Sequence, residues 1–175
     1  MYELYEVKKS TYKKNETKCE YKNIEVVDFS SELFGSSRKG VLIAFVWKVI
    51  TIKKPKAYII RDAQGAIIHS TCVIPKCFKF PFMGKDDIHI GPCVTVKEYR
   101  GLGLCPYVVS SVIENELNDE NSAYSMINTK NISSIEGFKK VGFLPIALMR
   151  KDKARRHVIV KRYESLEESQ NELFK

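Results

Sequence analysis

Ile88–Ile113 reads IHIGPCVTVKEYRGLGLCPYVVSSVI, and its parsing decides the fold. An apolar strand runs from Ile88 to Val96. A tight turn follows, Tyr99-Arg100-Gly101-Leu102-Gly103-Leu104, and an apolar helix begins near Cys105. The first N–H groups of a helix have no intrahelical partner, and the aligned peptide dipoles favour an anion beside them. Gly101 and Gly103 let the backbone turn and leave no Cβ in a ligand's way. Arg100 adds a cation. Strand, glycine turn and helix start together form a cradle for a phosphate-bearing ligand.

Working outward, the chain alternates strand and helix signals. Met1–Val7 and Ile24–Phe29 read as strands. Ser30–Lys39 reads as a connection. Gly40–Thr51 is apolar on most faces and reads as a buried helix, with a strand as the rival reading. Ala57–Arg61 and Ala66–Ile74 are strands joined by Asp62-Ala63-Gln64-Gly65, a hairpin turn with Gly where positive φ is needed. Pro75–Asp87 is a loop rich in Phe78, Phe80, Phe82 and Met83. After the helix Cys105–Leu117 come a strand at Ala123–Asn128 and a short helix at Ile132–Val141, stopped by Gly142. Strands at Pro145–Met149 and His157–Tyr163 close the pattern. A central sheet with helices on its faces fits this order.

Composition sets the bounds. With 44% apolar and 29% charged residues over 175 positions, one soluble globular domain is expected. The start of the chain is polar and charged, unlike a secretory leader. The longest apolar run, Val41–Trp47, is far short of the ~20 residues of a membrane helix. A net charge of +8 favours an acidic partner. Five cysteines, an odd count with no leader, predict reduced thiols and a cytoplasmic setting. Cys72 and Cys77 lack zinc-ligand spacing and no Cys/His cluster supports them, so no metal site is expected.

The turn is not a nucleoside-triphosphate loop, which needs Lys-Ser/Thr after its glycines, nor a Rossmann fingerprint, which needs three glycines and a later acidic residue. It resembles the signature of the GNAT superfamily of acyl-CoA-dependent N-acetyltransferases, Arg/Gln-x-x-Gly-x-Gly/Ala. Here that reads Arg100-Gly101-Leu102-Gly103-Leu104-Cys105, with Cys105 in the final small position. A second GNAT signature, an Asn opening a short helix that ends in Gly-Phe, is matched by Asn131-Ile132-Ser133-Ser134 and Gly142-Phe143. The resemblance covers Ala57–Tyr163. Residues 1–56 match only loosely, and 164–175 form a charged tail.

The resemblance implies an α+β fold, a central mixed and mostly antiparallel sheet with helices on both faces. It implies acetyl-CoA as co-substrate, its diphosphate on the backbone of Arg100, Gly101, Leu102, Gly103, Leu104 and Cys105. Its pantetheine arm would lie beside Cys93, Val94 and Thr95, where this strand splays from the one after Ala123. The Cys93 N–H would be the oxyanion donor, and Asn131 and Ser134 would touch the cofactor from the second helix. Some family members carry a Glu four residues before the position of Cys93. Here His89 stands there, an imidazole suited to take a proton near neutral pH, or else a sheet residue facing outward or paired in the core. Many members use a Tyr as acid where this chain has Phe138, which leaves Tyr99, Tyr107, Ser134, Cys105 or water for that role. Cys93 as a covalent nucleophile is a lesser alternative to a small packed side chain. Asp86 and Asp87 could hold a cationic amine or simply turn a loop, and the loop aromatics could line an acceptor pocket or the core.

The activity implied is acetyl transfer to a primary amine of a small molecule or amino sugar, by a monomer or homodimer without nucleic acid or an integral membrane segment. A protein N-acetyltransferase and a non-catalytic CoA-binding regulatory module are the alternatives.

Overall fold

The structure, a computed structural model, describes residues 1–14, 19, 21, 23–29, 33, 46, 54–154, 156–165 and 168–169. Among the described residues eight strands form one sheet: β1 (Tyr2–Lys8), β2 (Glu25–Asp28), β3 (Lys56–Arg61), β4 (Ile67–Pro75), β5 (Ile88–Thr95), β6 (Ser122–Asn128), β7 (Leu144–Lys151) and β8 (His157–Arg162). Their order across the sheet is β2-β3-β4-β5-β6-β1-β7-β8. Every pairing is antiparallel except β5 with β6. Helix α1 (Leu104–Glu116) makes the crossover between those two parallel strands, as parallel neighbours require. Helix α2 (Ile132–Lys140) joins β6 to β7.

The period-two alternation of the strands sorts side chains onto two faces. Tyr5, Val7, Tyr58, Ile60, Ile88, Ile90, Ala123 and Ile127 pack with Val108, Val109, Val112 and Ile113 of α1 and Ile135 and Phe138 of α2. On the other face, Ala57, Ile59, Cys72 and Ile74 are covered by Phe29, Phe80 and Met83, with Leu33 against them. Leu33 is helical, but most of 30–53 lies outside the described residues. So do the connection read at Ser30–Lys39, the helix or strand read at Gly40–Thr51, except Val46, and most of the charged tail. The hairpin forms as expected: Asp62 Oδ1 accepts from Gln64 N and Ala66 N, and Gly65 takes φ +82°. The buried Glu3 carboxylate accepts from the Tyr5 and Tyr163 hydroxyls, at 2.7 and 3.0 Å, and ties β1 to the end of β8.

Candidate functional site

β5 and β6 pair only at Ile88↔Ala123 and His89↔Tyr124, then part. The cause is local. The register of β5 against β4 shifts between Thr71 and Val73, opposite Gly91-Pro92, where Gly91 has φ +130°. Pro92 has no N–H to give a ladder, and a bulge bends its strand. Past that point each strand presents an unpaired edge to the other.

The turn after β5 is built as the sequence implied. Lys97–Tyr99 makes a single 3₁₀ turn, and Gly101 and Gly103 take φ +84° and +73°. Gly103 caps α1 with no side-chain hydrogen bond, so the free N–H groups of the helix start stay available. The Arg100 Nε donates to the Thr95 carbonyl at 3.1 Å, which pins the side chain beside the strand end. A groove of about 640 Å3 runs here, lined by Cys93, Val94, Thr95, Tyr99, Arg100, Gly101, Gly103, Leu104, Cys105, Pro106, Asn131, Ser133, Ser134, Glu136, Gly137 and Lys140. Every cofactor position expected from the sequence is in this lining except Leu102, whose side chain is half exposed beside it. Asn131 caps α2: its Oδ1 accepts from Ser134 N at 3.3 Å and from the Ser133 hydroxyl at 3.2 Å.

The groove adjoins a cavity of about 340 Å3 at the parting of β5 and β6, and the two share Cys93, Asn131 and Ser134. The cavity passes through the sheet. Ile90, Ile127 and Phe138 line it on the helix face; Tyr2, His89, Met126, Lys151 and His157 line it on the other. His89 is buried and stacks on Phe80, with ring centroids 4.5 Å apart. Neither ring nitrogen has a partner at hydrogen-bonding geometry, though the Gly91 backbone lies near enough to act on the ring. Burial, then the neighbouring His157, push its pKa down to about 3. The ring is therefore a neutral imidazole at physiological pH and a weak proton acceptor.

Sequence reasoning missed a polar chain under the start of α1. Thr71 Oγ1 donates to Cys93 Sγ at 3.5 Å; His69 bonds Thr71 through Nε2 at 2.9 Å and Thr95 through Nδ1 at 2.7 Å. Burial pushes the His69 pKa down to about 4. The Cys105 thiol bonds to Cys93, which lowers the Cys93 thiol and raises that of Cys105. The signal was faint, because His69, Thr71, Cys93 and Thr95 come from two strands and meet only through register.

Other residues singled out in the sequence have plain duties. The Asp87 carboxylate accepts from Gly84 N at 2.5 Å and Ser122 N at 2.9 Å, joining the starts of β5 and β6. Phe138 is buried, in contact with Phe143 and the cavity. Phe78 is exposed, while Phe80 and Met83 are buried. Phe82 faces a separate hollow of about 250 Å3 with Glu6, Tyr124, Arg162 and Tyr163. Among the described residues no group of three His, Cys, Asp or Glu could hold a metal ion, and no helix is long and apolar enough to cross a membrane.

A mixed sheet, one parallel pair that splays, and a glycine turn facing the gap stand together in this chain. The mixed, mostly antiparallel sheet is the one the GNAT resemblance implies; of the helices expected on both faces, α1 and α2 lie on one, and the segment beside the other face falls mostly outside the described residues. No family model matches the chain, and no curated protein matches it. Among solved structures it is similar to a GCN5-related N-acetyltransferase from Kribbella flavida, at 10% identity and TM-score 0.45, over 82% of this chain and 53% of that one. It is also similar to a GNAT-family protein assigned as an acetyltransferase from Novosphingobium aromaticivorans DSM 12444, at 15% identity and TM-score 0.47, over 83% of this chain and 61% of that one. A third is a conserved protein of unknown function from Staphylococcus epidermidis ATCC 12228, at 11% identity and TM-score 0.48, over 82% of this chain and 57% of that one. The chain thus spans little more than half the length of these structures.

Proposed function

We propose that this chain is an N-acetyltransferase that moves the acetyl group of acetyl-CoA to a primary amine of a small molecule or amino sugar by direct attack. One observation carries the reading: a groove floored by a helix start and its glycine turn adjoins a cavity at the parted strands, the two sharing Cys93, Asn131 and Ser134 in their walls. The groove suits a diphosphate with its unbonded N–H groups and the cations Arg100 and Lys140, and the unpaired edge of β5 suits an amide-bearing arm.

In this reading the Cys93 N–H faces the thioester carbonyl and stabilises the oxyanion as the amine nitrogen bonds to the carbonyl carbon. His89, a neutral ring in the cavity wall, accepts a hydrogen bond from the amine and orients its lone pair. A nitrogen that has formed its fourth bond is far more acidic than a free ammonium, so even a weak base then takes its proton. The C–S bond breaks, and the CoA thiolate takes a proton from water or from a hydroxyl of the groove. Phe138 cannot supply it.

Calorimetry with CoA, followed by thiol release from acetyl-CoA across an amine panel, tests this. CoA binding by the chain and its loss in Arg100→Glu are expected; no heat with CoA overturns the reading. A regulatory CoA-binding module is the second reading, favoured by the buried Phe138 and the weakly basic His89. Binding without turnover of any amine would select it.

A further inference from the structure

On the face of the sheet away from α1 and α2, the cavity has a wall of polar atoms without well-formed hydrogen bonds. His89 Nδ1 and Nε2 and His157 Nδ1 are buried with no partner at hydrogen-bonding geometry, the only such side-chain atoms among the described residues, and only the Gly91 and Lys79 backbones come near the two rings. A buried polar atom without a partner costs free energy, and a cluster of them facing a cavity marks where a ligand's own polar groups would bond. Phe80 lies against both rings, with centroids 4.5 and 5.7 Å away, and holds their planes.

Among the described residues the charge lining this mouth is positive. Lys151 lines it, its Nζ 5.8 Å from the centre of the Tyr2 ring, and pairs with no carboxylate among the described residues. Lys79 is close enough to act on His157, whose backbone N–H donates to the Lys79 carbonyl at 3.0 Å. Among the described residues no Asp or Glu lines the cavity. Such a wall does not recognise an ammonium by its charge. It attracts an anion, and it favours the neutral, nucleophilic form of an amine brought beside it.

We propose that this mouth receives the acceptor, and that the acceptor is a small primary amine that also carries a carboxylate or phosphate, held by Lys151 while His89 and His157 bond its remaining polar groups. The proposal rests on the acyl-transfer reading above and adds the substrate class. The cavity's size of about 340 Å3 fits a small molecule in place of a folded protein surface.

The test follows the histidine ring signals of the full chain by nitrogen-15 spectroscopy, with and without CoA. Two matched pairs are titrated: an amino sugar phosphate against the unphosphorylated amino sugar, and an α-amino acid against its carboxamide. At least one anionic member should shift the His89 or His157 signals at a concentration tenfold or more below its neutral counterpart. The pair that responds separates phosphate from carboxylate. Lys151→Gln, an exposed position where folding is not at stake, should remove the difference. Equal responses within both pairs, no response to any of the four, or a difference that survives Lys151→Gln would overturn the proposal. Failure of CoA to bind by calorimetry would instead strike the acyl-transfer reading, and the ring titrations without CoA still report on the mouth.

Discussion

His69 on β4 and His89 on β5 are both buried, and burial shifts both the same way, to about 4 and about 3. An imidazole whose folded pKa lies below its unfolded 6.5 binds more protons when the chain unfolds. Its contribution to stability is full above about pH 6.5 and is lost as pH falls toward the folded value. Each ring adds a slope of up to about 1.4 kcal/mol per pH unit in that window. Urea midpoints at pH 7, 6 and 5 should fall together, and His69→Gln should flatten the curve by one proton's worth; an unchanged slope would show that His69 titrates freely. His89→Ala belongs to the same scale. It should slow acetyl transfer by roughly 100-fold or more and leave CoA affinity within about twofold, measured by steady-state kinetics beside calorimetry. Full activity in that variant would leave the proton to water alone. His89 could be picked out in the sequence only through the family resemblance, which marks the position four residues before Cys93. His69 and His157 could not, because each gains its meaning from a neighbouring strand or loop distant along the chain.

At the scale of elements, two glycines separate function from stability. Gly101 has φ +84° with open space where a Cβ would stand, while Gly142 has φ +93° and a Cβ there would meet the Thr11 carbonyl oxygen at 2.4 Å. Gly101→Ala places an L residue in left-handed backbone, worth about 1–3 kcal/mol of local strain. The turn would relax to another shape and misalign its N–H groups. CoA affinity should drop about 5- to 100-fold, with a melting temperature nearly unchanged because the turn is exposed. Gly142→Ala adds a clash with backbone that cannot swing aside, so it should cost stability by about 2 kcal/mol or more. A Gly101 variant that binds CoA normally would remove the turn from the site. The turn, the hairpin and both helices were legible because their signals are local: glycines at set offsets, an Asn cap and apolar periodicity. The parting of β5 from β6 was legible only through the family resemblance. Its cause, Gly91-Pro92 breaking the ladder, sat in the quoted stretch and reads as a bulge only once β4 is placed beside it.

At the scale of the whole molecule, the first strand is the least local feature. β1 opens the chain yet lies inside the sheet between β6 and β7, and no spacing in the sequence announces it. This insertion completes the platform that carries the cavity's far mouth, since Tyr2 of β1 and Lys151 at the end of β7 stand there together. In the proposed reaction the two sides of the sheet divide the work. The groove and its glycine turn lie on the side of α1 and α2; the mouth with His89, His157 and Lys151 lies on the other. Two substrates entering from opposite sides need not exchange places, so both can be bound when the new C–N bond forms. Initial rates over a grid of acetyl-CoA and acceptor concentrations should give intersecting double-reciprocal lines, the pattern of a ternary complex. Cys93 sets the contrary case, since its thiol is lowered by Cys105, bonded by Thr71 and next to the expected thioester. Were that thiol to carry the acetyl group, the lines would be parallel and intact mass after acetyl-CoA alone would show an adduct lost in Cys93→Ala. Intersecting lines with no adduct are expected, and they would leave the Cys93 side chain as packing while its backbone N–H serves the carbonyl.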